Sequence, residues 1–124
     1  MPILSQFNLD GKAAIVTGAA QGLGQGIAVG LAEAGANVAL VDILDMTETR
    51  RAIENLGRGV VAIDANLMTT ECIPKIIDTT VSSLGGIDIL FNNAGIIRRA
   101  PITEFTEKDR DDVMNINIRT LFFL

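Results

Sequence analysis

The 124-residue sequence contains no histidine, no tyrosine and no tryptophan, and only one cysteine. Without histidine the commonest metal ligand and the commonest general base are both missing, which excludes a metal site of ordinary composition and a Ser-His-Asp triad. Cys72 has no second cysteine with which to close an internal disulfide. The start, Met1-Pro2-Ile3-Leu4-Ser5-Gln6-Phe7, has neither a basic region nor an apolar one. Together these features predict a cytoplasmic protein without a signal peptide. Positive charge is scarce as well: 10 basic residues against 15 acidic ones give a net charge of -5. No basic cluster is larger than Arg50-Arg51 or Arg98-Arg99, so there is no electrostatic footprint for nucleic acid. Residues 13–32 carry no charge, yet Gly18, Gly22, Gly24, Gly26 and Gly30, with Gln21 and Gln25, make them a poor apolar rod for a membrane.

What is present is a globular composition, 48% hydrophobic and 20% charged, on a chain long enough for one modest core. Residues 1–124 therefore read as a single domain or part of one. Short β-branched runs alternate with longer amphipathic segments, predicting strands over 13–17, 37–42, 60–64 and 87–92. Helices are predicted over 22–34, 46–56 and 71–84, with a last one starting near Glu107. Such alternation gives an α/β fold, a doubly wound parallel sheet with right-handed crossovers and about four β-α units, the sheet incomplete.

Punctuation agrees with these boundaries. Gly35, Gly57 and Gly85-Gly86 each follow a helical segment, where a left-handed residue closes the last turn at low cost. Thr106 and Asp109 have the spacing of a capping box. Ile73, Ile77, Val81 and Leu84 form an apolar stripe at helical spacing, with Pro74 in the first turn and Cys72 as a small structural residue. The last segment, 113–124, is apolar nearly all round and calls for cover on several sides.

Two short stretches carry chemistry. In Thr17-Gly18-Ala19-Ala20-Gln21-Gly22-Leu23-Gly24 a strand ends and a helix opens across a glycine-rich turn. This arrangement puts backbone N–H groups and the positive helix end where a pyrophosphate can sit. The pattern is G-x-x-x-G-x-G, and no Lys-Ser/Thr follows as a P-loop would require. Asp42 ends the second strand at the position from which a carboxylate accepts hydrogen bonds from ribose hydroxyls, and its charge would repel a 2′-phosphate, favouring NAD. Ile43 follows it in the same turn. Asp64, at the end of the third strand, is suited to the adenine amino group, with Ala65 beside it. The second stretch, Asn92-Asn93-Ala94-Gly95, ends a buried strand with two amides that need backbone or ligand partners.

With these residues in register, the chain from about Leu9 onward resembles the short-chain dehydrogenase/reductase family. The resemblance implies a Rossmann-type domain of which this is the N-terminal portion. It also implies NAD as cofactor and hydride transfer to or from a hydroxyl or ketone. Gly18, Gly22 and Gly24 would cradle the pyrophosphate, and Asn92 to Gly95 would stabilise the sheet beside the cofactor. Asn117, in Asn115-Ile116-Asn117-Ile118, would be the catalytic helix asparagine, holding a water that links a lysine to bulk solvent. Family members also carry a serine and a Tyr-x-x-x-Lys motif, for which this sequence has no counterpart, so residues 1–124 alone are expected to be inactive.

The run Ile96-Ile97-Arg98-Arg99-Ala100-Pro101, together with the residues from there to Ile118, resembles a branch of the family that acts on ketogluconate-type sugar acids. Arg98 and Arg99 suit a sugar-acid carboxylate through paired hydrogen bonds, or else lie on a solvated loop or pair with Glu104 or Asp109 in a subunit contact. A homo-oligomer is expected of the full-length enzyme. Two alternatives stay open: a short non-catalytic nucleotide-binding or assembly module, and a family member acting on another alcohol or ketone, such as a 3-oxoacyl compound or a polyol.

Overall fold

A computed structural model describes residues 2–96 and 98–124. Met1, in the start read for a leader, and Ile97, in the run that carries the sugar-acid resemblance, lie outside the described residues. A short 3-10 turn, Ile3–Phe7, leads into strand β1 (Ala13–Thr17), helix α1 (Gly22–Glu33), β2 (Asn37–Asp42), α2 (Thr47–Asn55), β3 (Val60–Asp64), α3 (Ile73–Leu84), β4 (Ile89–Phe91) and α4 (Glu107–Met114). Beyond α4 the chain widens into a π-helical turn, Asn115–Thr120, and ends in one further helical turn, Leu121–Phe123.

The strands form one parallel sheet in the order β3-β2-β1-β4. Going from β1 to β3 the chain steps twice in one direction, so right-handed crossovers lay α1 and α2 on one face. The step from β3 to β4 reverses direction and puts α3 on the other. The reversal leaves a switch point between β1 and β4, and the crevice beyond the carboxyl ends of those strands is where such sheets take ligands.

Alternation along each strand feeds the two layers. Val16, Val38 and Leu40 point toward Ala28 and Ala32 of α1 and Ile53 of α2, whereas Ile15, Ala39, Val41 and Ile63 point toward Ile76 of α3. The small residues Ala28 and Ala32 let α1 approach the sheet closely. β1 and β2 are buried on both faces, as their continuous apolar runs require.

Several details differ from the sequence reading. β4 is shorter than 87–92, and side chains join its backbone hydrogen bonds at both ends. At one end the Asp88 carboxylate accepts the Ala13 N–H at 2.9 Å, and at the other the Thr17 hydroxyl accepts the Asn93 and Ala94 N–H groups at 3.1 and 3.0 Å. The buried face of α3 is centred on Ile76 and Thr80, with Ile77 and Leu84 beside them, and Val81 is exposed. The helix begins two residues later than expected, after Cys72.

Gly35, Gly57 and Gly85 are left-handed as expected, whereas Gly86 is not. Thr106 and Asp109 form the capping box, with the Thr106 hydroxyl accepting the Asp109 N–H at 3.1 Å and the Asp109 carboxylate accepting the Thr106 N–H at 3.4 Å. Burial pushes the Cys72 thiol above its ordinary value, the opposite of an activated thiolate.

Leu40 is fully buried in the sheet's interior. Leu40→Ala is expected to remove about 2–5 kcal/mol of stability, read as a lower urea midpoint at unchanged slope. A loss below about 1 kcal/mol would show that this layer is loosely packed.

Candidate functional site

The carboxyl ends of β1, β2 and β4 converge on a cleft of about 540 Å³. Its lining includes Gly18, Gln21 and Gly22 from the glycine turn, Asp42 with Ile43 and Leu44 beyond β2, Ala65 beyond β3, Asn93 to Ile96 beyond β4, and Arg98 and Ile116.

The glycine turn is fixed by its own amides. Gly18 N–H and Ala19 N–H donate to the Val41 carbonyl at 2.8 and 3.3 Å, and Ala20 N–H donates to Asp42 Oδ2 at 3.0 Å. Those three donors are directed to β2, so the groups left to meet an anion are those of the first turn of α1, which have no intrahelical acceptor. The N-cap residue, Gln21, gives that turn no side-chain cap. The first turn of α1 is therefore a bare, positive helix end opening on the cleft.

Two glycines are required here for different reasons. Gly18 is left-handed (φ 69°), and a Cβ on it would lie 2.9 Å from Asn93 Nδ2. A Cβ on Gly24 would overlap the Gly18 carbonyl, so the helix can seat against the turn only without a side chain there. Gly22 is also left-handed (φ 59°), with open space around it. Leu23 is 80% exposed and turns away from the cleft.

Asp42 faces the same turn from β2. Its Oδ2 accepts from Ala20, and its Oδ1 accepts the N–H groups of Ile43 and Leu44 at 2.8 and 3.1 Å. One carboxylate thus joins the glycine turn to the β2-α2 loop, and its position beside the helix end fits ribose hydroxyls. Asp64 pairs in register with Asp42, but it borders a neighbouring hollow of about 320 Å³ with Asp45, Thr47 and Arg50 rather than the main cleft. Its backbone carbonyl accepts Lys75 Nζ at 2.8 Å. In that hollow, hydrogen bonds from the Thr47 hydroxyl and amide hold the Asp45 carboxyl below its ordinary value.

On the β4 side the asparagines divide. Asn93 Nδ2 donates to the Gly18 carbonyl at 3.3 Å and ties the two chemical stretches together. Asn92 borders a separate small recess with Thr17, Leu67 and Thr120. Thr17 is buried, its hydroxyl engaged by the 91–94 backbone, so it acts behind the cleft wall. Asn117, on the π turn, uses both ends of its amide on one residue: Oδ1 accepts Ile96 N–H at 2.9 Å and Nδ2 donates to Ile96 O at 3.0 Å. Arg98 lines the cleft, and its Nη2 lies 3.6 Å from Asp112 Oδ2. Arg99 is exposed and away from the lining.

Two contributors were missed by sequence reasoning. Thr49, fully buried on α2, donates its hydroxyl to the Ala19 carbonyl at 2.9 Å and props the glycine turn from below. A threonine on an otherwise apolar helix face was the available signal. Asp112 is buried to 8% exposure and also accepts Lys108 Nζ at 2.8 Å. The spacing of four to Lys108 was legible, but the reach to Arg98 was not.

The sequence profile of the family described as short chain dehydrogenase matches residues 12–124. The chain belongs to the short-chain dehydrogenase family. This member is 50% identical over 122 residues to 2-dehydro-3-deoxy-D-gluconate 5-dehydrogenase of Escherichia coli K12, covering 98% of this chain and 48% of that protein. Among solved structures it superposes with a TM-score of 0.83 on a candidate 2-deoxy-D-gluconate 3-dehydrogenase of Agrobacterium tumefaciens with NADP bound, at 44% identity, over 94% of this chain and 46% of that one. A short chain dehydrogenase of Mycobacterium paratuberculosis bound to NAD gives 0.85 at 32% identity, over 91% and 47%. The chain spans about half the length of these relatives.

Gly24→Ala in this short-chain dehydrogenase forces the helix off the Gly18 carbonyl, with an expected cost of about 1–3 kcal/mol, measured by chemical denaturation. Unchanged stability would mean that α1 is not seated on the turn. Thr47→Ala is expected to return the Asp45 carboxyl toward its ordinary value, read from the pH titration of its side-chain NMR signal. No movement would assign the lowering to another group.

Proposed function

We propose that the protein is an NAD-dependent oxidoreductase that transfers hydride between the nicotinamide and a hydroxyl or ketone of a sugar acid. The observation that carries this reading is the single cleft joining the uncapped first turn of α1, the Asp42 carboxylate and the Asn93-to-Gly95 turn. The helix end suits a pyrophosphate, the carboxylate suits ribose hydroxyls, and the order of the strands separates an adenosine side over β2 and β3 from a reactive side beyond β4. Gly18, Gln21, Gly22 and Gly24 shape the phosphate site, Asp42 and Ile43 the ribose site, and Ala65 the adenine edge, with Asp64 at the adjoining hollow, while Asn93 to Gly95 flank the nicotinamide and Asn92 lies behind them. The bound nicotinamide supplies the hydride acceptor or donor.

NAD is proposed over NADP because Asp42 puts a negative charge where a 2′-phosphate would lie, and no basic residue follows it before Arg50. The relatives named for gluconate derivatives support a sugar acid as substrate, and the paired Arg98 and Arg99 supply positive charge for its carboxylate. Asn117 holds the Ile96 backbone at the reactive side, and we assign it the role of ordering a water there for proton relay. These 124 residues contain no tyrosine and present no acid–base pair, so by themselves they are expected to bind nucleotide without turnover. The single cysteine supports a cytoplasmic location, and a homo-oligomer is proposed for the full-length enzyme.

Reduced nicotinamide fluoresces on excitation at wavelengths that aromatic side chains do not absorb, so its emission reports binding directly. Titration is expected to show saturable NADH binding and weaker NADPH binding, with Asp42→Ala narrowing the difference by about tenfold, roughly 1.4 kcal/mol. Equal affinity of the unmodified protein for the two nucleotides would defeat the NAD assignment. Failure to bind either would defeat the nucleotide reading itself.

A further inference from the structure

The segment that follows β4 is held by the last helical unit at two points. Asn117 fastens the backbone of Ile96 with both ends of its amide. Two residues further on, Asp112 lies against the guanidinium of Arg98, 3.6 Å from Nη2. A carboxylate as buried as Asp112 is costly unless paired, and it is paired twice, with Arg98 and with Lys108. Two cations on one anion leave the cluster with a net charge of +1, in a chain whose net charge is -5. Of its members Arg98 is the one that lines the cleft.

Its place in the cleft matters as much as its charge. Arg98 follows β4, on the opposite flank of β1 from Asp42. An anion bound there would be separate from the pyrophosphate at the first turn of α1. A guanidinium has five N–H donors in one plane, so pairing with one carboxylate fixes the plane and is compatible with receiving a second. Arg99, exposed and outside the lining, has neither constraint.

We propose that Arg98 is the group that recognises the carboxylate of the substrate, and that Asp112 is a positioning residue that fixes the Arg98 guanidinium toward the cleft. The assignment rests on the sugar-acid reading above. It makes specificity depend on α4 and the π turn after it: Asp112 orients the side chain, while Asn117 fixes the backbone two residues before Arg98.

The test is steady-state kinetics of the complete enzyme with a sugar acid and NAD, melting temperatures being recorded for every variant. Arg98→Ala is expected to raise KM for the sugar acid at least about tenfold, with kcat changed much less and the KM for NAD outside the effect. Arg98→Lys keeps the charge but not the fork and is expected to recover only part of the loss. Asp112→Asn is expected to raise the same KM, and adding it to Arg98→Ala should bring little further change, because the two act through one group. A rise in the KM for NAD instead would assign Arg98 to the cofactor and overturn the proposal, as would an Asp112→Asn defect in kcat alone. Should Asp112→Asn fail to fold, the two Arg98 variants still decide. An unmodified enzyme that turns over neutral polyols but not sugar acids would remove the sugar-acid reading itself. An unmodified enzyme active on sugar acids with an indifferent Arg98→Ala would remove only the present inference.

Discussion

The carbonyl of Gly18 is the point at which three parts of the molecule meet. Helix α1 seats on it through Gly24, where a side chain would overlap it, and Asn93 donates to it from beyond β4. Because β1 lies between β2 and β4, this contact ties the helix end to the flanks that carry Asp42 and Asn93. A displacement of the turn would open the cleft on both flanks. The supports around it are correspondingly dense, with Val41 and Asp42 accepting its amides and Thr49 donating to the Ala19 carbonyl.

Electrostatics divides the cleft. Three backbone amides converge on the Asp42 carboxylate, which keeps a negative charge in place beside a positive helix end. Across β1, the Arg98-Asp112-Lys108 cluster carries the opposite balance. Opposite charge balances thus stand at different ends of one cavity, a division that follows from the strand order more than from the local sequence.

The last helical unit links the segment after β4 to the core. Its π turn at Asn115–Thr120 sets Asn117 against the Ile96 backbone and lets the Thr120 hydroxyl reach the Thr69 carbonyl at 3.4 Å. Wide turns of this kind are rare and gather at functional sites. The same unit leaves Ile118, Leu121, Phe122 and Phe123 exposed, in keeping with the apolar, uncapped character of 113–124.

Local chemistry made much of this legible. The alternation of strand and helix, the left-handed glycines at 35, 57 and 85, the Thr106 capping box and the glycine turn all follow from rules that act within a few residues, so the sequence by itself determined the order of elements and the nucleotide-binding character of the turn. Other features depend on groups far apart in the chain. Val81 lies off the buried face of α3, which is set by how the helix packs on the sheet, and Asp88 and Thr17 join β1 to β4 through contacts that span some 75 residues of sequence. Thr17 proved to be a buried strut, Asp64 stood at a neighbouring hollow, and Arg98 found Asp112 on α4. Only the tertiary structure decided those pairings, because the partner of a buried polar group is set by which elements the sheet order brings together, and no local pattern encodes that distance.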